Sequence, residues 1–131
     1  MHLTFLQAVD RKEAAVHLDI CNTMNHPKRF FNNGEFIKQT FELLKDNIVT
    51  MHLKDIALKE DSLTVAFEEV ILGTGGIDYM VLMEEIAKLP EDTPAMLEHL
   101  ETEAEYDRAS ATAVSFAQAI GLHKEGMKWV R

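Results

Sequence analysis

Residues 48–53 read Ile-Val-Thr-Met-His-Leu and lie between two polar stretches. A short apolar run that begins with β-branched residues is typical of a buried strand. Similar runs occur at residues 14–20 and 95–100, and segments with helical spacing of apolar residues lie between and after the three runs. This alternation predicts an α/β fold in which parallel strands are joined by helical crossovers.

The sequence also indicates where the helices begin. Asn33 is available to cap the first crossover helix, and Asp78 is available to cap the second. The last helix follows Thr102-Glu103-Ala104-Glu105, which is a capping-box pattern. An earlier helix is expected to end within residues 3–13, where leucine and valine recur at helical spacing.

Length and charge limit the class of protein. The chain has 131 residues, 47% of them hydrophobic, with 22 acidic against 13 basic residues and a net charge of −9. This is the composition of one globular domain. No apolar run is long enough to cross a membrane, and the negative charge disfavours nucleic acid as a partner. The single cysteine cannot form an internal disulfide, so we expect a soluble, cytoplasmic protein.

Each predicted strand ends in a residue that can bind a metal: Asp19, His52 and Glu98. In parallel α/β folds, active sites form at the carboxyl edge of the strands. Asp19 and His52 are 33 positions apart, close to the roughly 31 residues per unit of an eight-fold βα barrel. His52 and Glu98 are 46 positions apart, and the excess falls in residues 54–76, which read as irregular with a short strand near residues 63–72.

Side-chain alternation along the strands supports the same grouping. His17 shares a strand face with Asp19, Ile48 and Thr50 share one with His52, and Met96 shares one with Glu98. The opposite faces are apolar, as expected for a surface packed under helices. They carry Val16, Leu18, Ile20, Val49, Met51, Leu53, Ala95 and Leu97.

Four segments of the chain, in this order, resemble the sugar phosphate isomerase/epimerase family with the xylose isomerase-like TIM barrel, and together they span roughly residues 12–122. They are Leu18-Asp19-Ile20-Cys21-Asn22, Met51-His52-Leu53-Lys54-Asp55, Leu72-Gly73-Thr74-Gly75-Gly76-Ile77-Asp78-Tyr79 and Leu97-Glu98-His99-Leu100. The resemblance implies that residues 1–131 form the C-terminal three βα units of a TIM (β/α)8 barrel, which is incomplete as a single chain.

The resemblance further implies a divalent-metal site bound by Glu, Asp, His and Glu from four strands. Asp19, His52 and Glu98 match the last three ligands, and the first glutamate is expected on a strand that precedes residue 1. Mn²⁺ is the favoured ion, with Zn²⁺, Mg²⁺ and Co²⁺ as alternatives. Glu98 is also expected to move a substrate proton through an enediolate. The implied substrate is a small sugar or keto compound, and the implied partner is the missing N-terminal barrel segment or further copies of this chain.

Other interpretations remain open. An endonuclease IV-like enzyme of the same superfamily would require a histidine where this chain has Asn22, and a non-catalytic assembly module is a third reading. Asn22 is expected to hydrogen-bond a sugar hydroxyl or to cap a turn. Lys54 and Asp55 are expected either to contact substrate or to form a surface pair.

Several neighbouring residues are interpreted without a direct catalytic role. The basic residues His26, Lys28 and Arg29 are better read as a solvated loop than as an anion site. Residues 73–76, Gly-Thr-Gly-Gly, lack the pattern of a phosphate-binding loop and are expected to shape the backbone before a helix. His99 is expected to be structural.

Overall fold

The computed structural model describes residues 2–11, 13–125 and 128–131. The chain has a mixed α/β fold with a small parallel sheet. Its helices are α1 (His2–Val9), α2 (Pro27–Phe31), α3 (Asn33–Leu44), α4 (Tyr79–Ile86) and α5 (Glu103–Ala119). Its strands are β1 (Val16–Asp19), β2 (Ile48–Leu53), β3 (Asp55–Leu58), β4 (Phe67–Val70), β5 (Ala95–Leu97), β6 (His123–Glu125) and β7 (Lys128–Val130). None of the described helices is long and apolar enough to cross a bilayer.

The main sheet has the order β1-β2-β5, and both pairings are parallel. This confirms the parallel arrangement predicted from the alternation of strands and helices. Asp19 is opposite His52, and Leu53 is opposite Leu97. The sheet thus brings the carboxyl ends of three strands, which are far apart in sequence, to one edge.

The structure confirms the predicted apolar face of the sheet at Leu18 and Met51 but not at the start of β2 or in β5. Leu18 and Met51 are almost completely buried in one core with residues of α3 and α4. At the start of β2, however, Ile48 is buried and Val49 is 55% exposed, the reverse of the prediction. The register shifts between Val16 and His17, so simple alternation does not hold there. Ala95, in the edge strand β5, is also exposed.

Two of the three predicted helix starts are confirmed. The Asp78 carboxylate accepts from the Val81 N–H, and Thr102 forms a reciprocal capping box with Glu105. The prediction for Asn33 is wrong, because Asn32 occupies the cap position of α3. The buried Asn33 amide instead donates to the carbonyls of Phe30 and Gly76 and accepts from the Asp78 N–H. It therefore ties the start of α3 to the start of α4.

Residues 54–76 were predicted to be irregular with a short strand near residues 63–72. The predicted strand is confirmed as β4, and it forms an antiparallel hairpin with β3, which was not predicted. Its second strand reads Phe-Glu-Glu-Val, and the two glutamates are exposed. The hairpin follows directly after β2, with Lys54 as the single residue between the two strands. It therefore stands beside the carboxyl edge of the main sheet.

Asp55 holds the loop that leads from the hairpin to α4. Its buried carboxylate accepts from the backbone N–H groups of Ile56, Gly73, Gly75 and Ile77. The reading of Asp55 as a substrate contact or surface pair is therefore wrong. A Cβ at Gly75 would collide with this carboxylate. This contact explains the glycine and confirms that residues 73–76 shape the backbone before a helix.

We expect Asp55→Asn to lower the free energy of unfolding by about 3 kcal/mol, because an amide cannot accept from all four N–H groups and buried donors without partners are costly. Urea denaturation followed by circular dichroism measures the change. Asp61→Asn is the matched control, since the Asp61 side chain is 81% exposed, and we expect it to change stability by less than about 0.5 kcal/mol. Equal stabilities of the two variants would contradict this role of Asp55.

Candidate metal centre

Three side chains that can bind a metal meet at the carboxyl edge of the main sheet. Asp19 ends β1, His52 lies in β2, and Glu98 follows β5. His52 Nδ1 is 2.7 Å from Glu98 Oε2 and 3.6 Å from Asp19 Oδ2. One ligand atom from each of the three residues lies within 4.8 Å of the other two. The predicted site residues are thus brought together by the parallel register.

The donor set suits a divalent transition metal. Two carboxylate oxygens and one imidazole nitrogen match the ligands of Mn²⁺ or Zn²⁺ better than the all-oxygen shell of Ca²⁺. Glu98 Oε2 is buried and lies 2.7 Å from His52 Nδ1 and 2.8 Å from Lys54 Nζ. A carboxylate oxygen that is removed from water is stabilised by a cation beside it. The residues present therefore fit such an ion.

Lys54 supplies a positive charge inside this cluster. Its side chain is 3% exposed, and Nζ lies 2.8 Å from Glu98 Oε2 and 3.1 Å from Asp19 Oδ2. Burial by itself would lower the pKa of Lys54, but the ion pairs with Glu98 and Asp19 outweigh it and raise that pKa. The same ammonium lowers the pKa of Glu98, which burial opposes. The reading of Lys54 as part of a surface pair is therefore wrong, because it is a buried cation at the site.

The backbone of Lys54 is also held in place. Its carbonyl accepts from Cys21 Sγ at 3.0 Å and from the Tyr79 hydroxyl at 2.6 Å. Burial raises the pKa of both donors, so both stay protonated at neutral pH. Tyr79 in turn stacks on Phe116 of α5, with ring centroids 5.2 Å apart. The junction between β2 and β3 is thereby fixed against the core.

Asn22 orients the Asp19 carboxylate. Its side-chain Nδ2 donates to Asp19 Oδ2 at 2.8 Å, and its backbone N–H donates to Oδ1 at 3.1 Å. The 3₁₀ turn Cys21–Thr23, which follows β1 directly, makes this geometry possible. Of the two roles expected for Asn22, the structure supports the local one within this turn.

Glu69 and His99 also belong to the site, and sequence reasoning missed both. His99 Nδ1 is 2.8 Å from Glu69 Oε2, and its Nε2 is 3.3 Å from Glu98 Oε1. The sequence predicts a structural role for His99, but its backbone has φ of +60°, which breaks the alternation of side chains along a strand. Glu69 comes from β4, which lies within the short strand predicted near residues 63–72, but the pairing of this strand with β3 was not predicted. A cavity of about 190 Å³ opens beside these residues.

His17 and the basic residues His26, Lys28 and Arg29 lie outside the three-ligand cluster. His17 lies against His52 with ring centroids 4.1 Å apart, in an edge-to-face arrangement. His26 accepts from the Lys28 N–H, and Arg29 donates to the Thr23 carbonyl. The prediction that these residues form a loop is wrong, because Lys28 and Arg29 belong to α2 and His26 caps it. Their described contacts lie within residues 23–36. The site is thus built from the strand ends and the hairpin.

The fold and the ligand geometry define a class of protein: a mixed α/β domain with a candidate divalent-metal centre at the carboxyl edge of a parallel sheet. Comparison with family models, with curated proteins and with solved structures finds no match for this chain.

We expect Asn22→Ala to weaken Mn²⁺ binding by about 10- to 100-fold, since groups that orient a metal ligand typically contribute this much to affinity. Isothermal titration calorimetry measures the effect. Asn25→Ala is the matched control, because Asn25 is an exposed residue whose Oδ1 accepts from Arg29. Equal Mn²⁺ affinities in the two variants would show that Asn22 does not position Asp19 for a metal.

Proposed function

We propose that this chain forms the C-terminal three βα units of a TIM barrel and carries most of the metal centre of a sugar or sugar-phosphate isomerase/epimerase. The observation that carries the proposal is the convergence of Asp19, His52 and Glu98 at the carboxyl ends of three parallel strands. Active sites of barrels of this kind lie at that edge. Mn²⁺ is the favoured ion, with Zn²⁺, Mg²⁺ or Co²⁺ as alternatives.

The chemistry is removal of a proton from a carbon next to a carbonyl, and its return to the same or the neighbouring carbon. A divalent ion held by Asp19, His52 and Glu98 would supply positive charge that stabilises the enediolate. Glu98 is the proton acceptor and donor of this chain. The Lys54 ammonium lowers the pKa of Glu98, so Glu98 is ionised at neutral pH. Displacement of this ammonium from Glu98 would make the carboxylate a stronger base.

The other residues orient this base. His99 Nε2 faces the outer oxygen of Glu98, and Glu69 holds the opposite ring nitrogen of His99. The adjoining cavity is lined by Lys54, Glu69, Glu98 and His99, so a small polar substrate would enter next to Glu98. A second acid/base group, the glutamate that the family resemblance assigns to a preceding strand, would face the substrate from the opposite side. It would come from further chain or from an associated subunit.

We expect the chain to bind Mn²⁺ in calorimetric titration, and we expect Asp19→Asn, His52→Gln and Glu98→Gln each to weaken binding at least about tenfold, because each removes one of three ligands. Asp61→Asn is the control for loss of an exposed carboxylate outside the site. Unchanged binding in all three ligand variants would contradict the metal centre.

Catalysis is tested with the preceding strands restored. In deuterated water with Mn²⁺, we expect exchange of a substrate C–H in keto sugars or their phosphates, detected by NMR. Exchange is expected to fall at least about 100-fold in Glu98→Gln, since one general acid or base contributes about 10²–10⁴-fold. If the restored protein exchanges no proton in any keto sugar and instead nicks abasic DNA, the endonuclease interpretation replaces this one.

We also expect the isolated chain to associate. Among the described residues, β1 and β5 pair only with β2, so each leaves an open strand edge. A groove of about 610 Å³ beside β5, lined by the connection between α4 and β5 and by largely apolar residues of both α4 and α5, adds exposed apolar surface. Light scattering should give a mass above the 14.9 kDa of one chain. A mass of one chain with cooperative unfolding would contradict this expectation.

A further inference from the structure

Lys54 and a divalent ion would use the same ligand atoms. The oxygens that Nζ contacts, Asp19 Oδ2 and Glu98 Oε2, are the two that face His52 Nδ1. Metal–ligand distances are about 2.0–2.3 Å, so an ion bound to Glu98 Oε2 would lie within about 5 Å of the ammonium, given the 2.8 Å contact. A singly and a doubly positive charge at that separation repel strongly where water is largely excluded.

A second acceptor for the ammonium lies beside the first. Lys54 Nζ is 3.4 Å from Glu69 Oε1, on the hairpin rather than on the main sheet. The other oxygen of Glu69, Oε2, is 2.8 Å from His99 Nδ1, which holds the carboxylate in position. Lys54 Nζ is also 3.3 Å from this His99 nitrogen. The ammonium thus lies between two groups of side chains, Asp19 with Glu98 and Glu69 with His99. A small movement of Nζ toward Glu69 would relieve its contacts with the first set.

The charges of the cluster agree with such a movement. Asp19, Glu98 and Glu69 carry three negative charges, and Lys54 offsets one of them. A divalent ion would offset the remaining two if the ammonium stayed in the cluster. Retention of Lys54 near Glu69 is therefore favoured over its expulsion into solvent.

We infer that Lys54 is an internal cation that occupies the ligand oxygens until a divalent metal displaces it, and that Glu69 is the acceptor to which the displaced ammonium moves. This inference rests on the proposed metal centre. It adds that Lys54 competes with the ion and that Glu69 receives the displaced ammonium. Competition from Lys54 lowers the metal affinity of the site. Glu69 limits this loss, because it accepts the displaced ammonium.

The test is Mn²⁺ affinity by calorimetry in a double-mutant cycle. Lys54→Met removes the competitor, so we expect binding at least about tenfold tighter than in the unmodified chain, within the range of roughly 5- to 150-fold typical of coupled sites. Glu69→Gln removes the receiving group, so we expect weaker binding. In the double variant, loss of Glu69 should have no further effect, because no ammonium remains to be displaced.

Matched controls and a second readout separate this role from effects on folding. Lys59→Met and Glu68→Gln change exposed neighbours of the same type, and we expect neither to alter affinity. Lys54→Gln is a second variant that keeps a polar group at this buried position. In both Lys54 variants, Asp19 and Glu98 lose their cation, so added Mn²⁺ should raise the unfolding temperature more than in the unmodified chain.

Each outcome has a distinct meaning. If the unmodified chain binds Mn²⁺ through the three ligands but neither Lys54 variant binds more tightly, the competition is refuted and the metal centre stands. If Glu69→Gln weakens binding equally with and without Lys54, Glu69 acts on the ion and is not the receiving group. If no variant binds Mn²⁺, the metal centre and this inference both fail. Binding by the Lys54 variants alone would support the inference.

Discussion

The parallel pairing of β2 with β1 and β5 is the constraint on which the site depends. Asp19 and His52 are directly opposite each other in this register, and Glu98 comes one residue after the pair Leu53 and Leu97. A shift of one residue in either pairing would turn the side chains of one strand to the opposite face. The buried Leu18 and Met51 resist such a shift, because it would expose them. The hydrophobic core therefore maintains the geometry of the polar cluster.

Desolvation explains why the polar cluster needs an internal cation. Asp19 and Glu98 approach each other beside a buried lysine, and unpaired buried charges are costly. The Lys54 ammonium offsets this cost, and the Cys21 and Tyr79 donors hold the backbone that carries it. The site is thus assembled around negative charge that Lys54 compensates in part. To bind, a divalent ion has to replace the contacts that the Lys54 ammonium makes with Asp19 and Glu98.

Two buried polar side chains connect the site to the rest of the fold. Asp55 collects four backbone N–H groups, and Asn33 bridges the starts of α3 and α4. Both act over tens of residues in sequence, so they organise the long connection between β2 and β5. Because Lys54 and Asp55 are adjacent, the residue that pairs with the carboxylates and the residue that holds the loop are positioned by one short segment.

The sequence by itself determined the parallel α/β arrangement, the caps at Asp78 and Thr102, and the three candidate ligands. These follow from local patterns: apolar periodicity, capping chemistry and the position of polar residues at strand ends. Only the tertiary structure decided the roles of Lys54, Asp55, Asn33, Glu69 and His99. Each role depends on partners 15 to 45 residues away or, for His99, on a backbone angle that breaks strand alternation. Such contacts produce no periodic pattern of residues in the sequence. They form when separate segments pack together and their buried polar groups require hydrogen-bond partners.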